Sequence, residues 1–111
     1  MQLFIAKITA IFLLFSFAFA NLHDSCKCRN SESDNSRMTT SACETYSNKN
    51  YKWGKSAYDA ASGLCIKSSQ TDQIAGNEWE AACREVAVSG FPCADGKGHC
   101  TADPNEVRGK C

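Results

Sequence analysis

Residues Ile74 to Cys93 read IAGNEWEAACREVAVSGFPC and mark a helix at both ends. Asn77 can cap it, and Glu80, at the third helical position, can reach back to the amide of the cap. Trp79, Ala82, Cys83, Val86 and Ala87 then fall at i, i+3, i+4, i+7 and i+8, one apolar stripe along the helix. Glu78, Glu80, Arg84 and Glu85 lie mostly off that stripe. Gly90 supplies a left-handed stop and Pro92 forbids continuation. Because Cys83 sits on the buried stripe, the sequence predicts a disulfide from this helix to whatever it packs against.

The chain has 111 residues. Residues 1–20 carry one charge, Lys7, followed by an uncharged run to Ala18-Phe19-Ala20. That is the layout of a secretory signal, with a charged start, an apolar centre and an A-x-A cleavage site. The apolar run is shorter than the roughly 20 residues that cross a bilayer. Cleavage is therefore expected after Ala20, leaving residues 21–111 as one exported domain with no membrane anchor.

Removing that segment takes Phe4, Phe12, Phe15, Phe17 and Phe19 with it, so only Phe91 remains of the six phenylalanines. The aliphatic side chains left are few, and a core so small rarely supplies more than about 3–5 kcal/mol. All eight cysteines (Cys26, Cys28, Cys43, Cys65, Cys83, Cys93, Cys100 and Cys111) lie in the remaining part. An even number in an exported chain reads as four disulfides, and their pairing stays open at this stage. Cys26 and Cys28 are too close to pair with each other; in an extended segment both sulfurs would face one way and fasten it twice. No C-x-x-C occurs, so neither a thioredoxin-type site nor a zinc knuckle is indicated.

Further along, Asp34 or Ser36 could cap a second, shorter helix running to about Tyr46, with Thr39, Cys43 and Tyr46 on one side. Ser56 to Ser62 reads as a helical turn ending at Gly63, Leu64-Cys65-Ile66 as a short strand, and Ser68 to Gln73 as a loop. From Gly90 to Cys111 the sequence reads as irregular, with a turn at Asp95-Gly96. The expected fold is small, disulfide-rich α+β: one or two short helices and a few short strands stapled by four disulfides.

Twelve basic and twelve acidic side chains give a net charge of zero. Balanced charge offers no case for nucleic acid or an anionic membrane as the main partner. Twelve acids could supply pairs for glycoside hydrolysis, but their spacing does not show the through-space separation required. Asp95, Asp103, Asn105 and Glu106 lack the spacing of a calcium loop. His23, close to the expected mature N-terminus, reads as mobile, and nothing in the sequence fixes His99 beside a carboxylate. No catalytic residue, cofactor or metal site is assigned. The most suggestive surface interleaves Tyr46, Tyr51, Trp53 and Tyr58 with Lys49, Lys52 and Lys55. Such a mixture can stack on sugar rings or anchor a protein interface, or the rings can be core with lysines reaching outward. Tyr51, Lys52 and Trp53 are the candidate partner-binding residues.

The layout of the whole chain resembles the small secreted cysteine-rich proteins of filamentous fungi, among them candidate effectors of plant-colonising species. The features that carry the resemblance are the A-x-A signal followed by Cys26-Lys27-Cys28, ASGLC at residues 61–65, and GNEWEAAC leading to GFPC. It implies a secreted virulence or interaction protein that acts in the host apoplast or is taken into host cells; the expected partner is a host or extracellular protein or glycan, bound by a monomer. It carries over no catalytic residue. A small exported enzyme or toxin, ribonuclease-like or wall-active and using His99 with a nearby acid, is the rival expectation. A His99 facing a carboxylate would favour the enzyme, and a His99 alone in solvent the binder.

Overall fold

The alternation of one strand organises the molecule. In β2 (Ser25–Asn30), Cys26 and Cys28 are buried, while Ser25, Lys27 and Arg29 on the other face are half-exposed. The computed structural model describes residues 21–111, so the expected signal segment lies outside the described residues.

The remaining elements, in order, are β1 (Leu22–His23), which precedes β2, then β3 (Ser33–Asp34), α1 (Ser36–Asn48), β4 (Ser56–Asp59) and β5 (Leu64–Lys67). They are followed by β6 (Ile74–Ala75), α2 (Gly76–Ser89), β7 (Phe91–Pro92), β8 (His99–Cys100), a 3-10 turn (Pro104–Glu106) and β9 (Val107–Lys110). β2 pairs antiparallel with β5, with Cys26 opposite Cys65, and β5 pairs with β4. β9 runs antiparallel along β2, from Lys27 opposite Lys110 to Asn30 opposite Val107. Backbone directions separate the two edges of β2. The carbonyls of Asp24 and Cys28 accept from Lys67 and Asn35 on the β5 and β3 side, whereas the Ser31 amide donates to Glu106 on the β9 side. The main sheet therefore runs β4-β5-β2-β9, with β3 extending the β5 edge. Interleaved with the two helices, this is the β-α-β-β-α-β arrangement of a split βαβ unit. It fits the expected disulfide-rich α+β class.

Both helices pack against each other and cover one face of the sheet. The core between them holds Trp79, Tyr46, Met38, Ile74 and Val107 together with Cys26, Cys28, Cys43, Cys65 and Cys83. Two of these rings have polar atoms that must find partners once buried. The Trp79 Nε1–H donates to the Lys27 carbonyl at 2.9 Å, and the Tyr46 hydroxyl accepts from the Ala75 amide at 2.9 Å. Burial pushes the Tyr46 phenol above its ordinary pKa.

The bridges are Cys26–Cys111, Cys28–Cys83, Cys43–Cys65 and Cys93–Cys100. Cys26 and Cys28 do fasten one strand twice, as the C-x-C spacing implied. Cys83 joins α2 to β2, and Cys43 joins α1 to β5.

Several local expectations are corrected. Helix α2 carries Trp79, Ala82, Cys83, Val86 and Ala87 on its buried side as read, but it begins at Gly76, and Asn77 is not its cap. Ala75 is held in β6 by pairing with Leu22, and the Gly76 amide donates to the Asn21 carbonyl at 2.8 Å, so tertiary partners replace the side-chain cap. Glu80 turns away from the cap: it accepts from the Gly109 amide at 3.1 Å and pairs with Arg84 at 3.1 Å. In α1 the cap is neither Asp34 nor Ser36 but Asn35, whose side chain accepts from the Met38 amide at 3.0 Å. Ser56 to Ser62 is not helical. Ser56 is drawn into β4 by its hydroxyl, which donates to the Cys43 carbonyl at 3.1 Å, and Asp59 closes the turn by accepting from Ser62. The C-terminal stretch is not irregular throughout, because β9 is a full strand of the sheet. Gly109 permits its approach to α2: a Cβ there would stand 2.8 Å from Trp79 Cδ1 and 2.9 Å from Glu80 Cα.

Cys28 and Cys83 are 55 residues apart and Cys93 and Cys100 only seven. Loop-closure entropy makes the first bridge worth about 4 kcal/mol and the second about 2 kcal/mol. Urea unfolding of the Cys28→Ala/Cys83→Ala variant should accordingly show a loss about 2 kcal/mol larger than that of Cys93→Ala/Cys100→Ala. Equal losses would mean that the helix-to-strand bridge has no special weight.

Candidate functional site

The loop after α1 carries Tyr51, Lys52 and Trp53, and backbone contacts with the loop before β6 hold it in place. The Trp53 carbonyl accepts from the Gln73 amide at 2.9 Å, and the Lys55 carbonyl from the Ser68 amide at 3.0 Å. Gly54, at φ 118°, makes the approach possible, since a Cβ there would overlap the Asp72 carboxylate. Lys55 reaches back to Asn50 Oδ1 at 2.6 Å and to the Ser47 carbonyl, so it secures the end of the helix.

The aromatic–lysine mixture divides on this frame. Tyr46 is fully buried core, not surface. Tyr51 is half-buried, its ring 5.0 Å from that of Tyr46, and Tyr58 also packs against the core. Lys49 pairs with Glu85 at 3.4 Å. What remains outward is Lys52 and the half-exposed Trp53, with the Lys52 ammonium 4.6 Å from the indole centroid. Cation and ring thus form one amphipathic tip on a fixed loop. Of the three candidate residues, Lys52 and Trp53 form the tip and Tyr51 anchors it.

His99 lies exposed in β8, opposite Pro92. His23 is placed in β1, where it pairs with Ile74, and lies against Gly76. It lines a shallow cleft of about 320 Å³ with Asn77, Glu80 and Lys110. The pairing of residues 22–23 with 74–75 creates this juxtaposition, and no short-range spacing announces it. Glu80 is already committed to the Gly109 amide and to Arg84. All eight cysteines are in disulfides, and no group of three or more His, Cys, Asp or Glu among the described residues is placed to hold a metal ion. Four disulfides are typical of extracellular proteins, and among the described residues no helix is long and apolar enough to cross a membrane. Compared with protein-family models, with curated proteins and with solved structures, the chain matches none.

A cluster of surface charges lies elsewhere, at the β2–β3 hairpin. Asp34 pairs with Lys27 at 2.8 Å and with Arg29 at 3.1 Å. The hydrogen bond from Lys27 holds the Asp34 carboxyl below its ordinary pKa, helped by the charges of Lys27, Arg29 and Lys110. A carboxyl whose folded pKa is depressed adds stability above its unfolded pKa and loses it as pH falls through the folded value. Thermal midpoints of the wild type and Asp34→Asn should therefore differ at neutral pH and converge under acid conditions. A constant gap across that range would show that the Asp34 charge is not what stabilises the hairpin.

Proposed function

We propose that this chain is a secreted, non-enzymatic binding protein that engages a host or extracellular protein or glycan and so promotes colonisation, as an effector does. The observation that carries the reading is the Lys52–Trp53 tip, a cation 4.6 Å from a half-exposed indole on a loop fixed by backbone hydrogen bonds. An immobilised aromatic residue with a charged neighbour loses little conformational freedom on binding, which is why such residues dominate interface energetics. The Cys43–Cys65 bridge joins the helix before that loop to a strand after it, a link that an oxidising medium preserves. His99 is exposed opposite Pro92 and, among the described residues, forms no ion pair with a carboxylate, which weighs for the binder over the histidine-based enzyme.

Capture experiments with the disulfide-bonded protein should recover an extracellular partner. Trp53→Ala should weaken that capture roughly 30-fold or more, equivalent to about 2 kcal/mol for a central aromatic contact. The circular dichroism spectrum should be unchanged, because Trp53 lies outside the buried core. Capture that is insensitive to Trp53→Ala would move the binding surface away from this loop.

A further inference from the structure

The face of the sheet away from the helices carries a concentration of positive charge that the zero net charge of the chain conceals. Alternation in β2 and β9 puts Lys27, Arg29, Arg108 and Lys110 on that face, opposite the buried Cys26, Cys28 and Val107. The register sets them in two like-charged cross-strand pairs, Lys27 opposite Lys110 and Arg29 opposite Arg108. Directly opposed residues lie about 5 Å apart and alternate residues along a strand about 7 Å apart, so four cations share one small rectangle. Like charges placed this way oppose sheet formation, and among the described residues only Asp34 compensates, by pairing with Lys27 and Arg29. Arg108 donates only to the backbone carbonyls of Asn105 and Val107, and among the described residues neither it nor Lys110 has a carboxylate partner. The acid at the far edge, Asp59, is engaged by Ser62.

We propose that this open sheet face binds an acidic polysaccharide, whose regularly spaced carboxylate or sulfate groups the four cations would meet together. Charge complementarity calls for a polyanion, and four disulfides direct the choice to polymers found outside cells. Single-stranded nucleic acid fits less well, since sheet-face readers of bases use aromatic platforms. The residues of β2, β4, β5 and β9 on this face include no aromatic ring. Leu64 and Ile66, half-buried beside the cations, provide a low apolar shelf for the faces of sugar rings and too little to insert into a bilayer. This surface is separate from the Lys52–Trp53 tip.

The test is titration of the disulfide-bonded mature protein with polygalacturonate, with a single-stranded oligonucleotide and phosphatidylserine vesicles as competing probes. Binding to polygalacturonate should weaken as salt rises and fall at least tenfold in Arg108→Glu/Lys110→Glu. It should hold in Lys49→Glu/Lys97→Glu, which changes net charge equally. The reversal at Lys110 places an acid opposite Lys27, so the sheet should survive; Arg108→Gln/Lys110→Gln serves as the second variant should the reversal fail to fold. Trp53→Ala should leave this binding unchanged, which separates it from the partner surface proposed above. Absence of polygalacturonate binding, equal losses in both charge-reversal variants, or tighter binding to the oligonucleotide or the vesicles would overturn the proposal.

Discussion

The disulfide between Cys28 and Cys83 joins the inner face of the central strand to the middle of the longer helix, and most of the other contacts follow from that junction. Once α2 is held over β2, the Trp79 indole reaches the Lys27 carbonyl and Gly109 of β9 fits under the helix. Glu80 then takes the Gly109 amide, which ties the last strand to the helix as well as to the sheet. The Cys26–Cys111 bridge secures the same pair of strands one residue beyond their pairing. A strand fastened through both of its buried residues cannot slip by one register step without exposing its sulfurs to water.

Covalent closure matters here because the apolar core is small. Its largest members are Trp79 and Tyr46, amphipathic rings whose polar atoms are each matched to a backbone partner. A buried polar atom left without one costs about 1–3 kcal/mol, comparable to a disulfide in the short C-terminal loop. The Tyr46 hydroxyl also holds the start of α2, where no side-chain cap is present, by accepting from the Ala75 amide. Rings, bridges and helix start thus depend on one another, and each constrains the sheet whose outer face is left open to solvent.

Much of this was legible in the residues, for a definite reason. The stripe of Trp79, Ala82, Cys83, Val86 and Ala87 and the alternation at Cys26-Lys27-Cys28 are short-range patterns, and short-range geometry alone decides which side of the element is buried. Helix starts were less legible, because Asn77 and Ser36 are good capping residues by chemistry but tertiary contacts settled the cap at Ala75 and Asn35. The strand Val107–Lys110 carries one large apolar residue, so its identity comes almost wholly from pairing with β2. Of the candidate site, the residue types at Tyr51, Lys52 and Trp53 were visible, and so was the helical side that Tyr46 shares with Cys43; that Tyr51 and Tyr58 pack against the core while Trp53 stays outside it was not. Segregation of charge was hidden for the same reason: Lys27 and Lys110 are far apart in sequence and opposite each other only in the folded sheet.

The fold depends on how the central strand is fastened, and tryptic mapping of the unreduced protein tests this directly, since Lys27 separates Cys26 from Cys28. Cleavage after lysine and arginine should leave the peptide ending at Lys27 bonded to a single residue, Cys111, and the dipeptide Cys28-Arg29 bonded to Ser68–Arg84. Met38–Lys49 should be joined to Ser56–Lys67, and Glu85–Lys97 to Gly98–Arg108. The peptide ending at Lys27 bonded instead to Ser68–Arg84, or Cys28-Arg29 bonded to Cys111, would contradict the strand-to-helix junction on which the fold is built.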